Sequence, residues 1–142
     1  MQCQITCAVP IPPELLDPVR DGLRSQLAVA AQRIASADEQ LGAREHPERY
    51  QDPLRFMDAL RALLQELGWS ATPSDPCVVD LHTHGWALTE ALQDQLSVHA
   101  DMLRDIDRDD DRRASIAREM DALTGLALTV LLRVQAQALH GR

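Results

Sequence analysis

Lysine and asparagine are both absent from this chain of 142 residues, and aromatic side chains make up only 3% of it. Both missing residues have AT-rich codons, so their absence reflects a GC-rich genome and says nothing about a need for arginine chemistry. Scarce aromatics leave the core to leucine, alanine and valine, as in closely packed helices. Positive charge is in short supply too. A net charge of −8 and a pI of about 4.9 exclude the cationic face that a nucleic-acid backbone requires.

Export and membrane signals are missing as well. Residues 1–13 have neither the basic start nor the apolar core of a signal peptide. The three cysteines, Cys3, Cys7 and Cys77, therefore read as reduced thiols in a cytoplasm. The longest apolar run, Leu126 to Val134, is broken by Arg133 and falls short of the roughly 18 residues of a membrane span. Catalytic signatures fail one after another: no Gly-rich phosphate loop, no His-Glu-x-x-His, no Gly-x-Ser-x-Gly, and no Glu-x-x-His pair of a di-iron bundle. The aspartates from Asp105 to Asp111 put Asp110 and Ile116 where a calcium loop needs glycine and glutamate. A non-enzymatic protein is the expectation.

What the chain does have is punctuation. Asp17-Pro18, Asp52-Pro53 and Asp75-Pro76 each precede an amphipathic run. An aspartate at the N-cap accepts from the orphan amides of a first turn, and proline at N1 gives up only an N–H that has no partner there. The first helix is expected from Pro18, or from Pro13 with a kink, to Gly42. Its stripe is Leu16, Val19, Leu23, Leu27, Ala30, Ile34, Ala37 and Leu41. The second runs from Pro53 to Leu67, ends at Gly68 and lets Trp69 fold back on Leu64. The third extends from Pro76 to about Asp107, and the fourth follows the acidic turn to His140.

These elements define an all-α fold: a four-helix bundle in a single domain, residues 13–142, with a short N-terminal extended arm, residues 1–12. In the arm Cys3, Ile5, Cys7 and Val9 alternate with Gln2, Gln4 and Thr6. A lone strand lacks a partner in a helical chain, so the arm either pairs antiparallel with a second copy or stays an undirected tail. Leu123 to Leu139 is apolar over most of its circumference, the mark of a central helix or a dimer face. A homodimeric, cytoplasmic interaction or regulatory protein follows, with no nucleic-acid or membrane partner.

The stretch His46-Pro47-Glu48-Arg49-Tyr50, then Pro53-Leu54-Arg55-Phe56, Arg61-Ala62-Leu63-Leu64 and Leu67-Gly68-Trp69, resembles small all-helical proteins of high-GC actinobacteria. The resemblance covers about one sixth of the chain. No activity is attached to that group, so the likeness implies helices and carries over no site.

Three constellations offer chemistry. On a helix starting at Pro76, Cys77, Asp80 and His84 fall at i, i+3 and i+7 on one face, a ligand set for zinc or another divalent transition metal. His46 stands as a possible fourth ligand, while His82 points elsewhere. No cofactor is required by the alternative reading, in which Cys77 is a small hydrophobe, Asp80 a first-turn acid and His84 a solvated side chain. His99 occupies a core-type position among Leu92, Leu96, Leu103 and Ile106. It reads as a packed boundary histidine or, with Trp86, as part of a small-molecule site. Arg133 and His140 have the spacing of HEPN ribonucleases, dimeric helical bundles. Val134 stands where that family usually has a polar residue, and the acidic balance opposes an RNA substrate.

Overall fold

The alternation at the N-terminus becomes a strand, and its partner lies in the same chain. A computed structural model describes residues 7–41, 48–68 and 76–140. In chain order it shows β1 (Ala8–Ile11), a 3-10 turn (Pro13–Leu15), α1 (Leu16–Leu41), α2 (Glu48–Gly68), β2 (Cys77–Asp80), α3 (Leu81–Asp105) and α4 (Arg112–His140). β1 and β2 form a two-stranded antiparallel sheet with Ala8 opposite Asp80 and Ile11 opposite Cys77. The outside partner or loose tail expected for the arm is thus replaced by residues that the sequence had assigned to a helix. Cys7, Val9 and Ile11 turn into the core and Pro10 points to solvent. Residues 1–6, with Cys3 and Ile5, lie outside the described residues.

The Asp-Pro rule locates helices but misplaces their starts. Pro18 is the third residue of α1, which the 3-10 turn leads into, so the proline sits in a first turn whose amides lack helical partners anyway. Pro53 lies inside α2, past its first turn, where it removes one i→i−4 bond. Pro76 precedes a strand. Val78 and Val79 are β-branched and favour the extended state, and β1 supplies the hydrogen bonds that make that choice stable. The cap falls to Asp80: its Oδ1 accepts from the His82 amide at 3.0 Å and its Oδ2 from Thr83 Oγ1 at 3.1 Å. The first amide of α3, at Leu81, donates to the Cys7 carbonyl at 2.7 Å, which joins helix start and sheet.

α3 is the hub. It packs against α1, α2 and α4 and touches both strands, whereas the main neighbours of α4 are α3, β1 and the 3-10 turn. α1, α2 and α3 therefore form a mutual group and α4 is laid alongside. The expected central position for α4 is overturned: it buries Leu123, Leu126 and Val130 and leaves most of its remaining surface open. The core joins Val9, Ile11, Leu15, Val19 and Leu23 to Leu60, Leu63 and Leu67 of α2 and to Val79, Leu88 and Leu92.

Two contacts fix α1 against its neighbours. At Gly22 the backbones of α1 and α3 come so close that an added Cβ would lie 2.4 Å from the Ala91 carbonyl oxygen. Arg20 Nη2 donates to the Leu67 carbonyl at 2.6 Å, closing one of the end carbonyls that a helix leaves open.

Candidate functional site

The one-helix metal face does not form, because Cys77 and Asp80 lie in β2 and only His84 lies in α3. Their side chains have other occupations. Cys77 is half-buried in the strand, Asp80 caps α3, and His84 Nε2 contacts Glu66 Oε2 at 2.5 Å. His84 is buried, and its Nδ1 has no hydrogen-bond partner among the described residues. Nε2 is thus the ring nitrogen that meets the carboxylate. Among the described residues no three His, Cys, Asp or Glu side chains are grouped to hold a metal ion. His46 lies outside the described residues.

His99 is packed as its position in the leucine run implies, and it links α3 to α4. Its Nδ1 donates to the Gln95 carbonyl at 2.7 Å and its Nε2 meets Glu119 Oε2 at 2.6 Å. Both ring nitrogens thus face acceptors. His82 and Gln137 make a further close contact between the start of α3 and the end of α4. Glu66 and Glu119, the acids that hold the two buried histidines, sit on other helices and have no spacing relation to them in the sequence.

Arg133 is likewise committed. Its Nη1 donates to the Ala8 carbonyl at 2.5 Å, and the Cys7 thiol donates to the Arg133 carbonyl at 3.7 Å. The arginine fastens β1 to α4, and the side chain of His140 lies outside the described residues, so the pair does not form a described site. Trp86 and His99 do not share a site: His99 faces α4, while Trp86 stacks on Phe56 of α2 with ring centroids 4.8 Å apart. A cleft at that ring pair is lined by Gln26, Ala30, Arg33, Pro53, Phe56, Trp86 and Glu90.

The acidic turn binds its own arginines. Arg104 pairs with Asp101 at 2.7 Å and Arg112 with Asp110 at 2.9 Å, while Arg113 donates to the Leu103 carbonyl at 3.0 Å. Beyond the turn, α4 carries a run of exposed leucines. Leu128, Leu132 and Leu139, between 55% and 75% exposed, lie on the side of α4 opposite Leu123, Leu126 and Val130, and Leu131, 52% exposed, flanks them. Between Asp121 and His140 the only charged residue is Arg133, which is turned to Ala8. By length and composition α4, over Arg112–Leu139, suffices to cross a membrane, yet little of it is buried. Counting unbroken apolar runs missed this, because an average over the helix tolerates Arg133, the threonines and the glutamines.

Compared with protein-family models, with curated proteins and with solved structures, the chain matches none.

Proposed function

We propose that the chain is a non-enzymatic helical interaction module that associates with a second copy of itself through the outer face of α4. The observation that carries this reading is an exposed leucine stripe on a helix half whose one charge, Arg133, lies off the stripe. In a protein of net charge −8, nearly five turns of helix carry a single ionised group, the exposed Arg133 that donates to the Ala8 carbonyl. Contiguous apolar patches on this scale mark interaction sites.

The pattern suits self-association. Gly125, Leu128, Leu132, Gln135 and Leu139 follow the alternating steps of three and four of a heptad seam. Gln135 is the one polar member, and its amide both donates and accepts, so its counterpart in a second copy satisfies it. Covering the open half of each leucine recovers on the order of 1 kcal/mol per side chain. The six seam leucines of a twofold pair offset the several kcal/mol that association costs.

A bilayer suits the same surface less well. Spanning would peel Leu123, Leu126 and Val130 from the body and strip Arg133 from Ala8. An arginine near the middle of a span costs about 2.5–3.5 kcal/mol on insertion scales, and the acidic body is repelled by anionic headgroups. A cytoplasmic setting belongs to the same proposal, supported by the unpaired thiols of Cys7 and Cys77.

Size-exclusion chromatography with light scattering tests it. The parent protein is expected as a dimer and Leu128→Asp/Leu132→Asp as a monomer of unchanged helical content, since both leucines are open in the single chain. A parent that stays monomeric at high concentration ends the proposal. Flotation of the parent on lipid vesicles, lost in the same variant, would replace the second copy with a membrane.

A further inference from the structure

The cleft between α1, α2 and α3 holds three features that the packing leaves unused. Its volume is about 250 Å³. One wall is the indole of Trp86, resting on Phe56 with their planes tilted by 41°. Trp86 stays 52% exposed, although a tryptophan normally hides most of its surface. The third feature is a pair of opposite charges on facing helices. Glu90 follows Trp86 by one turn on the same face of α3, and Arg33 approaches from α1, one turn beyond Ala30. Neither Arg33 nor Glu90 has an ion pair among the described residues.

We propose that this cleft binds a small zwitterion, a molecule with an ammonium and a carboxylate a few bonds apart. An indole face attracts an ammonium through its quadrupole, and Glu90 adds the countercharge at that end. Arg33 offers a carboxylate two parallel N–H donors, the geometry a guanidinium provides and an ammonium does not. Because the two charges sit on different helices, they set the ligand's direction across the cleft. A plain organic cation meets Arg33 as a repulsive neighbour, and a plain anion meets Glu90. The volume limits the ligand to the size of a betaine or a short amino acid. The site is independent of the α4 face, since no residue of α4 lines it.

Ligand-observed saturation-transfer NMR on the intact protein, with glycine betaine, choline and acetate as probes, decides the matter. Saturable contact by glycine betaine is expected, with choline and acetate at least tenfold weaker. Arg33→Gln and Glu90→Gln should each weaken betaine tenfold or more, and Trp86→Leu should abolish its contact, all with parental circular dichroism. Arg33 and Glu90 are not core residues, so those two variants separate ligand loss from misfolding. No saturable contact by any probe overturns the proposal. So does choline binding as tightly as betaine, or betaine binding that ignores Arg33→Gln and Glu90→Gln.

Discussion

α3 and α4 lie side by side and differ in length by only a turn, with 25 and 29 residues, yet they stand in opposite relations to the core. α3 buries eight side chains, three of them polar: His84, Gln95 and His99. Each of the three has a partner, Glu66, Asp94 and the Gln95 carbonyl with Glu119 respectively. α4 has the more apolar second half and leaves most of it in solvent. Hydrophobicity alone therefore did not decide which helix went inside. α3 has neighbours on three sides, and two of them answer its buried histidines through Glu66 and Glu119, while Asp94 of α3 itself meets Gln95; α4 has neighbours on one. On the proposed reading, the leucines that α4 leaves open meet a second copy of the chain.

The sharpest way to break this contrast is to truncate one leucine on each helix. Leu92→Ala removes a fully buried core side chain of α3 and should cost about 2–5 kcal/mol in urea unfolding. Leu132→Ala, on a side chain 64% exposed, should stay within roughly 0.5 kcal/mol in dilute protein. At high concentration its effect should grow, because a dimer makes stability depend on mass action. Equal costs at every dilution would mean that the outer face of α4 is not outer.

A second pair of substitutions tests the same contrast at the backbone. Gly22→Ala places a methyl group 2.4 Å from the Ala91 carbonyl oxygen, and a rigid carbonyl on a packed helix cannot yield. Forcing α1 from α3 should cost about 1–3 kcal/mol. Gly125→Ala on α4 meets nothing within 4 Å and should gain about 0.5–1 kcal/mol from helix propensity. Thermal melts of the two variants should move in opposite directions. A destabilised Gly125→Ala that is also monomeric would show that the seam between copies needs a glycine there for close approach.

Much of this was legible in the residues. The periodic stripe from Leu16 to Ala30 found the buried face of α1, and the leucines of α2 and α3 found theirs. The failures share a cause: each needed a partner distant in sequence. Residues 76–80 read as the start of a helix because proline and a later periodicity said so. Pairing with Ala8–Ile11, some seventy positions upstream, decided otherwise and dissolved the face meant for Cys77, Asp80 and His84. Glu66 and Glu119 gave no local sign that they would hold histidines. The cleft was half visible: Trp86 stood out as a rare aromatic, but Arg33, Phe56 and Glu90 join it only when three helices meet. The apolar second half of α4 was read correctly in composition and ambiguously in placement, since periodicity cannot say whether an apolar face meets its own chain or another.

The smallest expected effect concerns the turn that lays α4 beside α3. Asp110 accepts from the Arg112 amide at 2.9 Å and from its guanidinium at 2.9 and 3.2 Å. These bonds hold the Asp110 carboxyl below its ordinary value of 3.8. A carboxylate with a depressed native value stabilises the fold fully above the unfolded value, and loses that contribution as pH falls through the native one. The difference in stability between the parent and Asp110→Asn should therefore be constant from neutral pH down to about the ordinary carboxylate range and vanish below it. Both partners are solvated, so added salt should shrink the difference at every pH. Hydrogen exchange separates the turn from the body. The variant should lose protection only in the first turn of α4, because Leu123, Leu126 and Val130 hold the rest of the helix to its neighbours. Loss of protection through Val130 would show that the turn, not the inner leucines, keeps α4 in place.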